Sequence, residues 1–282
     1  MGRVVYERGL FRSAGCGMIE VFMNGTGFSA KQAVAGGLLI NYFAHEGTDD
    51  SKPAIVFLHG WRSRASVWLP TARGLSLSSD MYALDLPGFG ASELPREAFG
   101  VGDYARVAEA FVRAHDIRRA VVVGHSFGGR VAIKLAASHP DFLKGIVLAD
   151  SAGFLDATFT KKFMAHAAKP FSPLMRRPAM QGVRRAIYRM LGADDYVATP
   201  ELTAIYLKII NEDLTEDMKK IRVPALIVWG SRDRETPVSF AERMHGLIPG
   251  SEKIIVNGAG HFSFLDEPQQ FIKAVRGFIS KL

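Results

Sequence analysis

Val121-Val122-Val123-Gly124-His125-Ser126-Phe127-Gly128-Gly129-Arg130-Val131-Ala132-Ile133 joins two patterns of different period. The three valines after Ala120 form a short β-branched apolar run, as a buried strand does. From Phe127 to Ser138 small and apolar residues recur at helical spacing, and the run stops at His139-Pro140. Between them stands Gly124-X-Ser126-X-Gly128, the form of a strand–turn–helix elbow that presents a serine nucleophile. A serine at such an apex has a strained backbone, and side chains two positions before and after it would collide, so glycine is favoured there. The helix that follows brings free N–H groups and the positive end of its dipole close to the hydroxyl.

Outward from the elbow the chain alternates strands and helices. Strands are expected at Leu38–Glu46, Ala54–Leu58, Met81–Leu84, Gly145–Ala149, Ala225–Trp229 and Lys253–Val256. Helices are expected at about 66–77, 102–115, 237–247 and 268–280. This alternation predicts a mostly parallel sheet covered on both faces. The rhythm breaks from about 152 to 220, where helical patterns and prolines replace strands. That stretch is expected to form a helical cap over the strand C-termini, where open α/β sheets place their sites. The expected organisation is therefore core at 36–151, cap at 152–220 and core again at 221–282. Residues 1–35, broken by Gly15, Gly17, Gly25 and Gly27, are expected to be an extension outside the domain.

A serine hydroxyl needs a base. Of the eight histidines, His45 lies in an early strand and His139 ends a helix. His115, His166 and His245 fall in helical patterns, and His59 and His125 adjoin turns, where a histidine more often orients backbone. His261, in Gly258-Ala259-Gly260-His261 after the last strand, is the expected general base. Asp233, just past the strand that ends at Trp229, is the expected orienting acid. Asp150, also at a strand end, is its rival, whereas Asp85 before Pro87-Gly88 reads as a turn residue. The N–H groups of Phe127 and of Trp61, in His59-Gly60-Trp61, are expected to bind an oxyanion. Trp61, Phe154, Phe163 and Phe262 are expected to wall an apolar pocket.

Ser126, Asp233 and His261, in that order, resemble the α/β-hydrolase superfamily over about residues 36–282. His59-Gly60-Trp61, Asp85-Leu86-Pro87-Gly88-Phe89-Gly90, Gly124 to Gly129, Gly230-Ser231-Arg232-Asp233 and Gly258 to His261 carry the resemblance, all in family order. It implies the α/β-hydrolase fold: a doubly wound, mostly parallel sheet of about eight strands with an inserted helical cap. Ser126 argues against the haloalkane dehalogenases and epoxide hydrolases, which place an aspartate there. The elbow and cap look like the esterases and the carbon–carbon bond hydrolases. The latter typically carry tryptophan after the catalytic histidine, where this chain has Phe262. The implied activity is hydrolysis of small or medium apolar esters through an acyl-enzyme. The alternatives are carbon–carbon cleavage of a vinylogous diketone, with Arg130 or a cap arginine pairing a substrate carboxylate, and a non-catalytic binding protein.

Composition is that of a globular protein, 48% hydrophobic and 22% charged over 282 residues. No apolar run is long enough for a membrane span, so no integral membrane association is expected. The single cysteine, Cys16, rules out an internal disulfide and cysteine-rich metal sites. It fits a reducing compartment, and Arg3, Glu7, Arg8 and Arg12 interrupt any secretory core, so a cytoplasmic location is expected. The net charge of +7 is concentrated at 151–200, in Lys161, Lys162, Lys169, Arg176, Arg177, Arg184, Arg185 and Arg189. Without interleaved aromatics these read as a solvated face rather than a nucleic-acid surface. A small apolar substrate is expected, with no metal or organic cofactor; the oligomeric state is left open.

Overall fold

The computed structural model describes residues 21–22, 27–75, 78–155 and 200–282. Most of the expected cap (156–199), with Phe163 and the basic cluster, lies outside the described residues. So does most of the N-terminal extension.

The described strands are β1 (Val21–Phe22), β2 (Ser29–Ala35), β3 (Leu38–His45), β4 (Ala54–Leu58), β5 (Met81–Leu84), β6 (Ala120–His125), β7 (Leu143–Ala149), β8 (Ala225–Gly230) and β9 (Glu252–Val256). They form one sheet in the order β1-β2-β3-β5-β4-β6-β7-β8-β9. β4 to β9 run parallel, while β3 pairs antiparallel with both β5 and β2. Apart from a single helical turn at Ser263–Asp266, the described α-helices are α1 (Leu69–Leu75), α2 (Val101–Ala114), α3 (Phe127–Ala137), α4 (Pro200–Ile210), α5 (Thr215–Lys220), α6 (Ser239–Leu247) and α7 (Pro268–Ile279). Among the described residues no helix is long and apolar enough to cross a membrane.

The central strands are apolar throughout because both faces are covered. Val56, Leu58, Val122, Ile146, Leu148, Ile227 and Trp229 enter one core cluster, which includes residues of α2, α3, α5 and α6. Their neighbours Ile55, Phe57, Val121, Val123, Val147, Leu226 and Val228 enter the other, with residues of α1 and α7. Pleating sends alternate residues to opposite faces, so an unbroken apolar run serves two cores.

Two expectations are corrected. The expected boundary at 36 falls too late: residues 29–35 are β2, paired with β3 from Ser29↔Ala44 to Ala35↔Leu38. Gly36 and Gly37, at φ 58° and 79°, make the two-residue turn whose twist suits a hairpin. With the short β1 the sheet has nine strands, in keeping with the expected sheet of about eight. The helix expected at 66–77 begins instead as a 3₁₀ turn at Ala65–Trp68 and becomes α1 at Leu69. Pro70 sits in the first turn of α1, where its missing N–H costs nothing.

The two ends of the expected cap meet. Leu214 N–H donates to Gly153 O at 2.9 Å, and Leu155 N–H donates to Asp213 Oδ2 at 2.9 Å. Lys134 of α3 also pairs with Glu212 and with Asp217 of α5, each at 3.0 Å.

Candidate active site

Ser126 stands between β6 and α3 with φ 50° and ψ −107°, a conformation that L-residues rarely adopt. Its neighbours explain how the strain is held. A Cβ on Gly124 would lie 2.3 Å from Gly128 O, and one on Gly128 would lie 2.2 Å from Leu58 O. The elbow therefore closes only because both positions lack side chains. Ser126 N–H donates to Ala149 O, and Ser126 O accepts from Gly129, Arg130 and Ala152, so the apex is tied to β7 as well as to its own helix.

Asp233 lies in the turn after β8. Its Oδ1 accepts the N–H groups of Glu235 and Thr236 at 2.8 and 3.0 Å. Its Oδ2 accepts the Thr236 hydroxyl at 2.7 Å and His261 Nδ1 at 2.9 Å. The side chains are 0% exposed for Asp233 and 8% for His261. Burial opposes ionisation of Asp233, but the bond to His261, its charge and the Thr236 donors outweigh it and hold the carboxyl below its usual range. Burial likewise opposes a charged His261. The hydrogen bond and charge of Asp233, aided by Glu235 and Asp150, prevail and raise it above the ordinary imidazole value.

With Nδ1–H donating to Asp233, the lone pair of His261 is on Nε2. That nitrogen lies 3.4 Å from Glu235 Oε2, and among the described residues no hydrogen bond joins His261 to Ser126. Both nevertheless line one cavity of about 280 Å³. Its walls include Trp61, Phe127, Phe154, Tyr206, Phe240 and Phe262. The Trp61 ring packs against Phe89, Phe127 and Tyr206 with centroids 4.9, 5.4 and 4.9 Å away. Phe154 is buried, whereas Phe262 is 37% exposed.

Gly60 and Trp61 border the cavity from the loop after β4. Phe127 opens α3, so its N–H is among those with no acceptor inside the helix. The flanking histidines hold backbone, as expected of turn residues. His59 Nδ1 meets Gly60 O at 2.7 Å, and its Nε2 accepts from Leu86 N–H at 3.0 Å. His125 Nε2 donates to His261 O at 2.8 Å, a direct strap from the elbow to the histidine loop. Burial and the nearby His261 charge push His125 down to about 3, so it is neutral and its Nε2 carries the proton.

Asp150 does not reach His261. Its Oδ1 accepts Gly230 N–H at 2.7 Å, and its Oδ2 accepts Ser263 N–H at 3.1 Å and the Ser263 hydroxyl. Asp85 is a turn residue, accepting from Ala65, Ala91 and Asn41. Arg130 lines the cavity, but its Nη2 donates to Ile209 O at 2.8 Å and to Glu212 O. It holds the C-terminal end of α4. Among the described residues no group of three His, Cys, Asp or Glu is arranged to hold a metal ion. Sequence reasoning passed over Thr236 and Glu235. Asp233-X-X-Thr236 is a turn pattern in which side chains bond nearby backbone, and that was the available signal for Thr236.

The chain is similar over most of its length to proteins named as esterases and lipases. A pimeloyl-[acyl-carrier protein] methyl ester esterase of Nitrosomonas europaea is 28% identical, covering 81% of this chain and 96% of its own. A monoacylglycerol lipase of Xenopus laevis is 25% identical, covering 91% and 83%. The crystal structure of a membrane phospholipase A, a bacterial virulence factor, superposes with a TM-score of 0.73 at 27% identity, covering 91% of this chain and 87% of that one. The sequence model of the alpha/beta hydrolase family matches residues 55–274, a span holding the elbow and the loops of Gly60, Asp233 and His261, and the chain belongs to that family.

Proposed function

We propose that the protein is a serine hydrolase that cleaves small or medium apolar carboxylic esters through an acyl-enzyme. Ser126 Oγ attacks the ester carbonyl while His261 Nε2 takes its proton. Asp233 fixes the tautomer and stabilises the imidazolium. The N–H groups of Trp61 and Phe127 receive the oxyanion. The proton on Nε2 passes to the departing alkoxide, and His261 then activates the water that frees Ser126. The observation that carries this reading is the buried 2.9 Å Asp233–His261 bond beside a cavity that Ser126 and aromatic rings share. The esterase and lipase relatives support it. Arg130 Nη2 donates to two peptide carbonyls, and the ester-cleaving relatives favour ester cleavage over the carbon–carbon reaction.

The test is mass spectrometry of the intact protein after a fluorophosphonate, with nitrophenyl esters of increasing chain length assayed alongside. A single adduct on Ser126 is expected, with ester turnover reduced about 10⁴-fold or more in Ser126→Ala. A folded protein that takes no adduct at Ser126 overturns the reading. The chain-length series then bounds the acyl pocket.

A further inference from the structure

Glu235 is not used by the reaction above, yet it stands at the reaction's most sensitive atom. Its N–H is held by Asp233 Oδ1, which fixes its backbone two residues after the acid. Its side chain is 66% exposed, lines the cavity, and brings Oε2 to 3.4 Å from His261 Nε2. The charges around His261 divide by edge: Asp233 meets Nδ1, Glu235 meets Nε2, and the buried Asp150 and neutral His125 lie nearby. Of the cationic residues lining the cavity among the described residues, Arg130 is turned to the Ile209 carbonyl and Arg62 is at the exposed rim.

Nε2 is the atom that hands its proton to the departing alkoxide in the proposed reaction. A carboxylate beside it therefore borders the alcohol half of the ester rather than the acyl chain. We infer that Glu235 determines leaving-group specificity: it favours alcohols that carry a cation or a hydrogen-bond donor close to the ester oxygen, and disfavours those that carry an anion. An ammonium or hydroxyl there gains a charge-assisted contact. A second carboxylate meets like-charge repulsion in a partly desolvated cleft.

This inference rests on the serine-hydrolase reading, and its test separates the two. Ethyl, choline and glycolate esters of butyric acid share one acyl group and differ only in the alcohol. The kcat/KM ratio of choline to glycolate ester is compared among the wild type, Glu235→Gln and Glu235→Lys. The ratio is internal to each variant, so changes in folded fraction or in base strength cancel. A ratio above one that falls about two- to fivefold in Glu235→Gln, and further in Glu235→Lys, supports the assignment. A ratio unchanged in both variants overturns it while leaving the serine-hydrolase reading intact. Absence of Ser126-dependent turnover of the ethyl ester by the wild type removes both.

Discussion

At the residue scale the proposed chemistry turns on one histidine held from three sides. Asp233 fixes its Nδ1, the His125 strap fixes its carbonyl, and Glu235 stands at Nε2. His261 must be neutral to take the serine proton, and its pKa lies above the ordinary 6.5. Activity should therefore rise with pH through that raised value and level off above it. In Glu235→Gln one stabilising charge is gone, so the limb should move to lower pH, and a His261 titration followed by NMR should move in the same direction. A limb that stays put would mean that the Glu235 contact does not form in solution. Asp233→Asn should keep the fold and lower kcat by about 10⁴-fold, because an amide no longer selects the required tautomer. Circular dichroism beside the kinetics checks both halves. Thr236→Val removes, at the cavity wall, the one hydroxyl that lies within reach of Asp233 Oδ2 and Asp150 O. It should destabilise the chain by about 1–2 kcal/mol, measured by urea denaturation.

At the element scale the elbow depends on two absent side chains. Gly124→Ala and Gly128→Ala each force a Cβ onto backbone at 2.3 and 2.2 Å, which no rotamer can relieve. Each should cost several kcal/mol by the overpacking of about 1–3 kcal/mol plus lost elbow geometry, with poor soluble yield as the readout. Near-normal activity in either would refute the account of the turn. These elements were legible in the sequence because buried parallel strands write themselves as unbroken apolar runs, such as Val121–Val123 and Ala54–Leu58. The β2 hairpin was not. Ser29–Ala35 carries Lys31 and Gln32 among alanines, and as an outer strand it needs no apolar run. Its one clear mark was Gly36-Gly37, a hairpin signal standing at the expected start of the domain. Asp233 was legible from its place after a strand. Glu235 was not, since an exposed glutamate looks like any other until the fold turns it toward Nε2.

At the scale of the whole molecule, one buried acid joins the loops that carry the site. Asp150 ends β7, and its carboxylate receives Gly230 at the end of β8 and Ser263 just after His261. Burial, only partly opposed by those donors, raises its pKa to about 7. A carboxyl whose folded pKa is raised contributes stability that is complete below its ordinary value and is lost as pH climbs toward about 7. Asp150→Asn removes that slope and leaves Ser263 N–H without an acceptor. The variant should be less stable than wild type by about 1–3 kcal/mol at pH 5, with a smaller gap at pH 8. Melting temperatures at both values test the sign, and a gap that widens at pH 8 would contradict it. The paired ends at Gly153–Leu155 and Asp213–Leu214 have a consequence of another kind. Sequence inserted there leaves and re-enters the core at a single stapled doorway. Lengthening or exchanging it adds only a logarithmic closure entropy, about 0.6 kcal/mol per doubling. Such a change is tolerated only where it spares α4, whose Ile205 and Ile209 belong to the core beneath.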